Sequence, residues 1–215
     1  QELVDILFFG YGKVCNGPFF PNSFAYNEDI KTITQDIIKA KELLKEAGYD
    51  ENHPFSFEVV TNTGNDIRIN AALILQYQLQ KAGIKMNIRV MEWQAFLNTV
   101  VHPRNFEAVL LGWSMALMPD AYPIWHSTSS KLGGFNFVSY ENPKVDNLIE
   151  KGNNTVNRDE LGKIYKDIFK IITDDLPYLF LYIPDSISAV NKNIKNIEPS
   201  FIGIMHNQKD WEIQE

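Results

Sequence analysis

The stretch from Phe55 to Trp113 constrains the fold most, because its hydrophobic period changes repeatedly and each change is punctuated. "FSFEVVT" (55–61) alternates or runs apolar as a strand does, and "NTGN" (62–65) is a turn. Residues 66–81 then switch to three- and four-residue spacing, with Ala71, Ala72, Ile74, Leu75 and Leu79 on one face. Asp66 suits the cap of this helix and Gly83 its end. "IKMNIRVME" (84–92) reads as a strand, "EWQAFLNTV" (92–100) as a short helix, and "FEAVLLGW" (106–113) as a nearly continuous apolar strand buried on both faces. Strand, helix, strand, helix, strand at these lengths is the pattern of an α/β fold: a mostly parallel central sheet with crossover helices.

The flanks read less regularly. "QELVDILFFGYG" opens on an apolar rhythm at Leu3, Ile6, Leu7 and Phe8, like the last turns of a helix ending at Gly10. With neither an initiating Met nor a signal peptide before it, the chain is expected to be the later portion of a longer protein. "CNGPFFPNSFAYNED" (15–29) is a loop or linker, and from Thr34 the pattern is helical, with Ile37, Ile38, Ala40, Leu43, Leu44 and Ala47 at three- and four-residue spacing before Gly48 stops it. Asn142-Pro143 opens another helix with Val145, Leu148 and Ile149 inward. A further one starts near Asn157 and carries Leu161, Ile164, Tyr165, Ile168, Ile171 and Ile172. "PYLFLYI" (177–183) reads as a buried strand and "SISAVN" (186–191) as another, while the last two dozen residues show no strong period.

At 215 residues the chain is one large domain, or one domain with an appendage. Its net charge of −7 argues against binding a nucleic-acid backbone, which needs clustered Lys and Arg. Cys15 is alone, so neither an intrachain disulfide nor a cysteine-based zinc cluster can form. No apolar run approaches the roughly 20 residues that span a bilayer. Enzyme signatures are missing from the sequence: there is no P-loop, G-x-G-x-x-G, G-x-S-x-G or H-E-x-x-H. His53, His102, His126 and His206 are scattered, and the closeness of Asp120, His126 and Ser127 in sequence is not how a catalytic triad is usually arranged.

"GWSMALMPDAYPIWHS" (112–127) is richer than a turn requires. Ligands of open parallel sheets bind beyond the carboxyl ends of the strands, and Trp113 sits at such an end. Large rigid aromatics bury much area at low entropic cost, so Trp113, Tyr122 and Trp125 suit a recognition wall; Met115 and Met118 add adaptable apolar surface. Alternatively Tyr122 and Trp125 belong to a short helix in the core, the reading favoured for Trp125. Two more turns open on the same edge: "TNTGN" with Asn65, which also suits a plain turn, and Glu92-Trp93.

Six segments in order now carry a resemblance: "KAKELLKEAGY", "TNTGNDIR", "LQKAGIKMNIRVMEWQAFL", "FEAVLLGWSMALMPDAYPIWHS", "GGFNFVSYENPKVDNLIEKG" and "DDLPYLFLYIPDSISAVN". Together they resemble extracellular solute-binding proteins of the peptide and nickel class, the ligand-capture subunits of ABC importers. The resemblance implies a class II periplasmic-binding-protein lobe with helices on both faces of the sheet. It implies a hinge segment at 1–22 leading to an N-terminal lobe of the same protein, a ligand-binding lobe at 23–183, and a return segment at 184–215. Trp113, Trp93 and Asn136 of "GGFNF" would lie at or near a ligand, with Met115, Asp120, Tyr122 and Asn65 around them.

The implied function is capture of a peptide, most simply an oligopeptide, in a cleft between two lobes, followed by delivery to membrane permease subunits. The place would be periplasmic or lipid-anchored at the cell surface. No catalysis, cofactor, metal or nucleic-acid partner is implied. The chain departs from the best-known oligopeptide binders: Ala116 stands where they carry an aspartate for the peptide amino terminus, and Val100 and Leu110 stand where some carry arginines. Asp120 is the substitute carboxylate on offer. A nickel chelate, haem or an oligosaccharide remains open as ligand, and so does an α/β hydrolase using Asp120 and His126.

Overall fold

The computed structural model describes residues 1–115, 119–131, 133–200 and 203–214. Helix α1 (Glu2–Phe8) and strand β1 (Gly12–Val14) open the chain, and after a long loop comes α2 (Ile37–Glu46). Next are β2 (Ser56–Asn62), α3 (Asp66–Lys81), β3 (Lys85–Met91), α4 (Trp93–Phe96), which runs on as a wider helical turn over Leu97–Val101, and β4 (Ala108–Val109). The remainder is α5 (Tyr122–Trp125), α6 (Pro143–Asn153), α7 (Arg158–Asp175), β5 (Tyr182–Pro184), β6 (Ile194–Lys195) and β7 (Glu212–Ile213).

The central sheet has the order β3-β2-β4 and is parallel throughout. β2 pairs with β3 from Ser56↔Lys85 to Asn62↔Met91, and its middle position explains why Val59, Val60, Thr61 and Asn62 are all buried. On one face α3 brings Ala71 and Ala72, small enough for close approach, against Val59, Met86 and Leu110. The other face is covered by Phe96, Val100 and Val101, which pack on Val60. Helices therefore lie on both faces, as the sequence predicts. The cap of α3 differs: Asn65, not Asp66, accepts from the Arg68 N–H at 2.9 Å, and Asp66 is the first helical residue.

β4 is shorter than the expected strand over 106–113. Its ladder covers only Ala108 and Val109. At Leu110 the N–H still reaches the Val60 carbonyl at 3.0 Å, but the Leu110 carbonyl accepts from the Thr61 hydroxyl at 3.1 Å. A side chain thus replaces the next ladder bond, and the chain peels away from β2 carrying Gly112 and Trp113.

The larger core lies outside the sheet. Trp125 of α5, Val145 and Ile149 of α6, and Ile164, Ile168, Phe169 and Ile172 of α7 close around Phe19 and Ala25 from the 15–30 loop. Asn142 caps α6 ahead of Pro143. Asn157 caps α7 by accepting from the Asp159 and Glu160 N–H groups, each at 3.0 Å.

Two expectations give way here. Of "PYLFLYI" only Tyr182 and Ile183 join a ladder, in β5, antiparallel to β1. Tyr178 and Phe180 turn to Trp125 instead (ring centroids 4.7 and 6.3 Å), and Leu179 points to solvent. "SISAVN" forms no ladder and exposes Ile187 and Val190, since no strand of the described residues lies beside it. α2 has the predicted period, yet none of its residues is buried, because no element of the described residues covers its apolar face. The β1–β5 ribbon brings residues 12–14 beside 182–184. No helix among the described residues is long and apolar enough to cross a membrane.

Candidate functional site

Three chain segments leave the carboxyl edge of the sheet: Asn62-Thr63 after β2, Glu92-Trp93 after β3, and Gly112-Trp113 beyond β4. Glu92 caps α4 by accepting from the Ala95 N–H at 2.9 Å, and backbone N–H groups around it hold its carboxyl below the usual value. This fixes the start of α4, where Trp93 is 39% exposed, with Phe96 as its ring neighbour at 6.2 Å.

Trp113 is also 39% exposed and lies flat on Phe137, centroids 5.7 Å apart and planes 7° apart. Phe135, half exposed, meets both rings edge-on at 6.1 Å. These three rings form an open aromatic wall. Behind it stands Tyr178, whose phenol burial pushes up to about 12 against a hydrogen bond from Trp113.

The loop behind the wall is held by Asn136 and Arg104. Asn136 is fully buried: its amide donates to the carbonyls of His126 (3.2 Å) and Tyr140 (2.8 Å) and accepts from the Tyr140 N–H (2.9 Å). Its polar atoms are thus engaged by backbone groups of His126 and Tyr140, at either end of the loop that carries the two phenylalanines. A Cβ on Gly134 would stand 2.0 Å from the Ser129 carbonyl oxygen, so only glycine allows this approach. Arg104 donates to the carbonyls of His102 (3.3 Å), Lys131 (3.0 Å) and Asn136 (3.4 Å). Sequence reasoning missed Phe135, Phe137 and Arg104, although the F-N-F spacing puts two rings on one side and the amide on the other.

The other expected residues divide. Asn65 uses its side-chain oxygen as the α3 cap. Met115 is half-buried against the helical core, and Trp125 is wholly inside it. Tyr122 stacks on His126 (4.2 Å, 17°) and its hydroxyl lies 3.0 Å from the Thr128 hydroxyl. Asp120 is exposed and accepts from the Tyr122 N–H at 3.0 Å. Ala116 and Met118 lie outside the described residues.

His126 is buried, with Nδ1 at 2.8 Å from the Thr128 hydroxyl and Nε2 at 3.5 Å from a Glu150 carboxylate oxygen. Among the described residues the ion-pair partners of His126 are Asp146 and Glu150, and Asp120 accepts instead from the Tyr122 N–H. Among the described residues no group of three or more His, Cys, Asp or Glu is placed to hold a metal ion.

One cation also sits at this edge. Arg68, in the first turn of α3, donates through Nη1 to the Asn62 side-chain oxygen. Burial draws its guanidinium below the ordinary value, and the nearby Tyr182 opposes that.

An aromatic wall at the carboxyl edge of a parallel sheet, with helices on both faces, describes one lobe of a binding protein. The family model described as "Bacterial extracellular solute-binding proteins, family 5 Middle" matches residues 1–135, and the chain belongs to that family. Its relatives include the oligopeptide-binding protein AppA of Bacillus subtilis, 32% identical over 98% of this chain and 41% of AppA. The structure of that protein in complex with a nonapeptide matches with a TM-score of 0.81 at 31% identity, over all of this chain and 45% of the other. NikZ of Campylobacter jejuni, in complex with Ni(L-His), matches with a TM-score of 0.80 at 25% identity, over 98% of this chain and 45% of NikZ. The chain thus spans less than half the length of these relatives, and it has the fold of a class II periplasmic-binding-protein lobe.

Proposed function

We propose that this chain is the C-terminal, ligand-facing lobe of an extracytoplasmic solute-binding protein that captures peptides for an ABC importer. The observation that carries this reading is the aromatic wall at the sheet edge, in which the exposed rings of Trp113 and Phe135 are backed by the half-buried Phe137. Such rings bury ligand surface without choosing a sequence, as general peptide capture requires. Trp93 extends the wall, and the exposed Asp120 offers a carboxylate to a peptide amino terminus. Met115, Tyr122, Asn65 and Asn136 complete the set of residues at or near the ligand. An N-terminal lobe of the same protein supplies the facing wall, and the ligand acts by binding the closed arrangement of two lobes better than the open one. The role is binding without catalysis, and the partners are the permease subunits in the membrane.

The likeness to AppA with its nonapeptide supports peptide as the ligand. NikZ with its nickel–histidine complex fits nearly as well in fold, so the test must separate the two chemistries. The two-lobe protein, purified without added ligand and weighed by native mass spectrometry, should carry a heterogeneous adduct that releases short peptides on denaturation. A single non-peptide mass, or failure to retain anything from a mixed peptide pool, would overturn the peptide reading.

A further inference from the structure

The step by which Trp113 leaves the sheet turns on one hydroxyl. Along β2 the backbone N–H groups serve the two neighbouring strands in alternation. The Thr63 N–H donates to the Met91 carbonyl beyond β3 at 2.7 Å, so the Asn62 N–H is directed at the β4 side. The Leu110 N–H donates to the Val60 carbonyl at 3.0 Å, which makes the Leu110 carbonyl the acceptor that would continue the ladder. That carbonyl instead accepts from the Thr61 hydroxyl at 3.1 Å. Thr61 is fully buried and Leu110 is buried beside it, so both groups depend on protein partners. In the run Val59, Val60, Thr61, Asn62, only Thr61 carries a hydroxyl.

The choice between these two donors sends the chain to different places. Were the register Val59↔Ala108, Val60↔Val109 to continue, Leu111 would stand opposite Asn62 and Trp113 opposite Gly64. Trp113 would then follow β2 into its turn. Instead Leu111 and Phe137 pack against the cluster of Val60, Phe96, Val100 and Val101, and Trp113 lies flat on Phe137 with centroids 5.7 Å apart. Its indole N–H donates to the Tyr178 hydroxyl behind. Valine fills nearly the space of threonine but has no donor. With valine at position 61 the buried Leu110 carbonyl keeps a partner by taking the Asn62 N–H, and that draws residues 110–113 back toward β2.

We propose that Thr61 is a positioning residue of the ligand wall: by taking the Leu110 carbonyl out of the β2–β4 ladder, its hydroxyl sets Trp113 on Phe137, where a ligand meets it. This rests on the reading of the chain as a ligand-facing lobe, so the first readout needs no ligand. The two-lobe protein is isotope-labelled at its indole nitrogens, and the Trp113 N–H resonance is assigned by its loss in Trp113→Phe. Retention from a random nonapeptide pool is then quantified by mass spectrometry, with thermal unfolding of each variant followed in parallel. Thr61→Val should shift the Trp113 resonance, speed its hydrogen exchange and weaken retention about tenfold, the worth of one lost hydrogen bond. Thr61→Ser, which restores the hydroxyl, should match wild type throughout. A folded Thr61→Val protein with the wild-type resonance overturns the proposal, and so does one whose resonance moves while retention stays the same. Equal impairment of Thr61→Ser and Thr61→Val also overturns it, because the hydroxyl is then not the cause. If Thr61→Val does not fold, Thr61→Cys takes its place as a weaker donor, and wild-type behaviour of that variant overturns the proposal. Failure of wild type to retain any peptide overturns the peptide reading alone, and the Trp113 resonance then decides the role of Thr61.

Discussion

A polar side chain can sit wholly inside a protein when each of its polar atoms finds a partner, and Asn136 does so with three hydrogen bonds to backbone groups of His126 and Tyr140. Removing the amide leaves those groups buried and unpaired, at about 1–3 kcal/mol each where water cannot reach them. Asn136→Ala is therefore expected to lower unfolding free energy by about 3 kcal/mol, read as a lower urea midpoint at unchanged slope. Ligand affinity should fall too, because Phe135 and Phe137 flank the residue. A variant as stable as wild type would mean that the loop is not held by this amide. The sequence signals that Asn136 matters without showing which way it points. The position of Trp113 beyond β4 is legible because the end of an apolar strand has a known place in a parallel sheet; the hydrogen-bond partners of Asn136 are not, because they are set by a loop closure at Ser129 and Gly134 that no local pattern encodes.

Helices carry their instructions locally, and that is why they were read well. In α7 the apolar period, the capping Asn157 and the acids Asp159 and Glu160 in the first turn all lie within the element. Asn157→Ala frees two N–H groups at the helix start and should cost about 1–2 kcal/mol by chemical denaturation. Asn157→Asp should cost much less, since it keeps the acceptor and adds a favourable charge. Equal losses for both would show that the cap is not the source of the effect. Strands depend on neighbours that the local sequence does not name. "FSFEVVT" became β2 because β3 and β4 arrive on either side, whereas "SISAVN" has similar propensity and no strand beside it among the described residues. "PYLFLYI" was divided by competition: β1 takes its end, and Trp125 takes Tyr178 and Phe180. The same logic explains α2, whose correct period met no covering element among the described residues.

At the scale of the whole molecule, tyrosines link both cores to pH. Tyr140, Tyr165 and Tyr178 lie in or against the large helical core, and Tyr182 against the sheet core. Burial raises the phenol pKa of all four, and a hydrogen bond to Asp175 raises Tyr140 further. An unfolded chain ionises these groups near pH 10, at about the ordinary tyrosine value. The folded chain keeps their protons to higher pH, so between the two values the unfolded state binds fewer protons and stability falls as pH rises. Below about pH 10 the contribution is fully present; it is lost progressively as pH climbs through the folded values. For Tyr178, raised to about 12, the loss is on the order of 2–3 kcal/mol at about 1.4 kcal/mol per unit. Thermal midpoints should therefore hold level to about pH 9.5 and drop steeply from pH 10 to 12. Tyr178→Phe should make that drop shallower, because phenylalanine releases no proton on unfolding. Near-ultraviolet phenolate absorbance gives the deciding observation. If these four phenols ionise near pH 10 while circular dichroism still reports the folded chain, they are not shielded as placed here, and the alkaline loss has another origin.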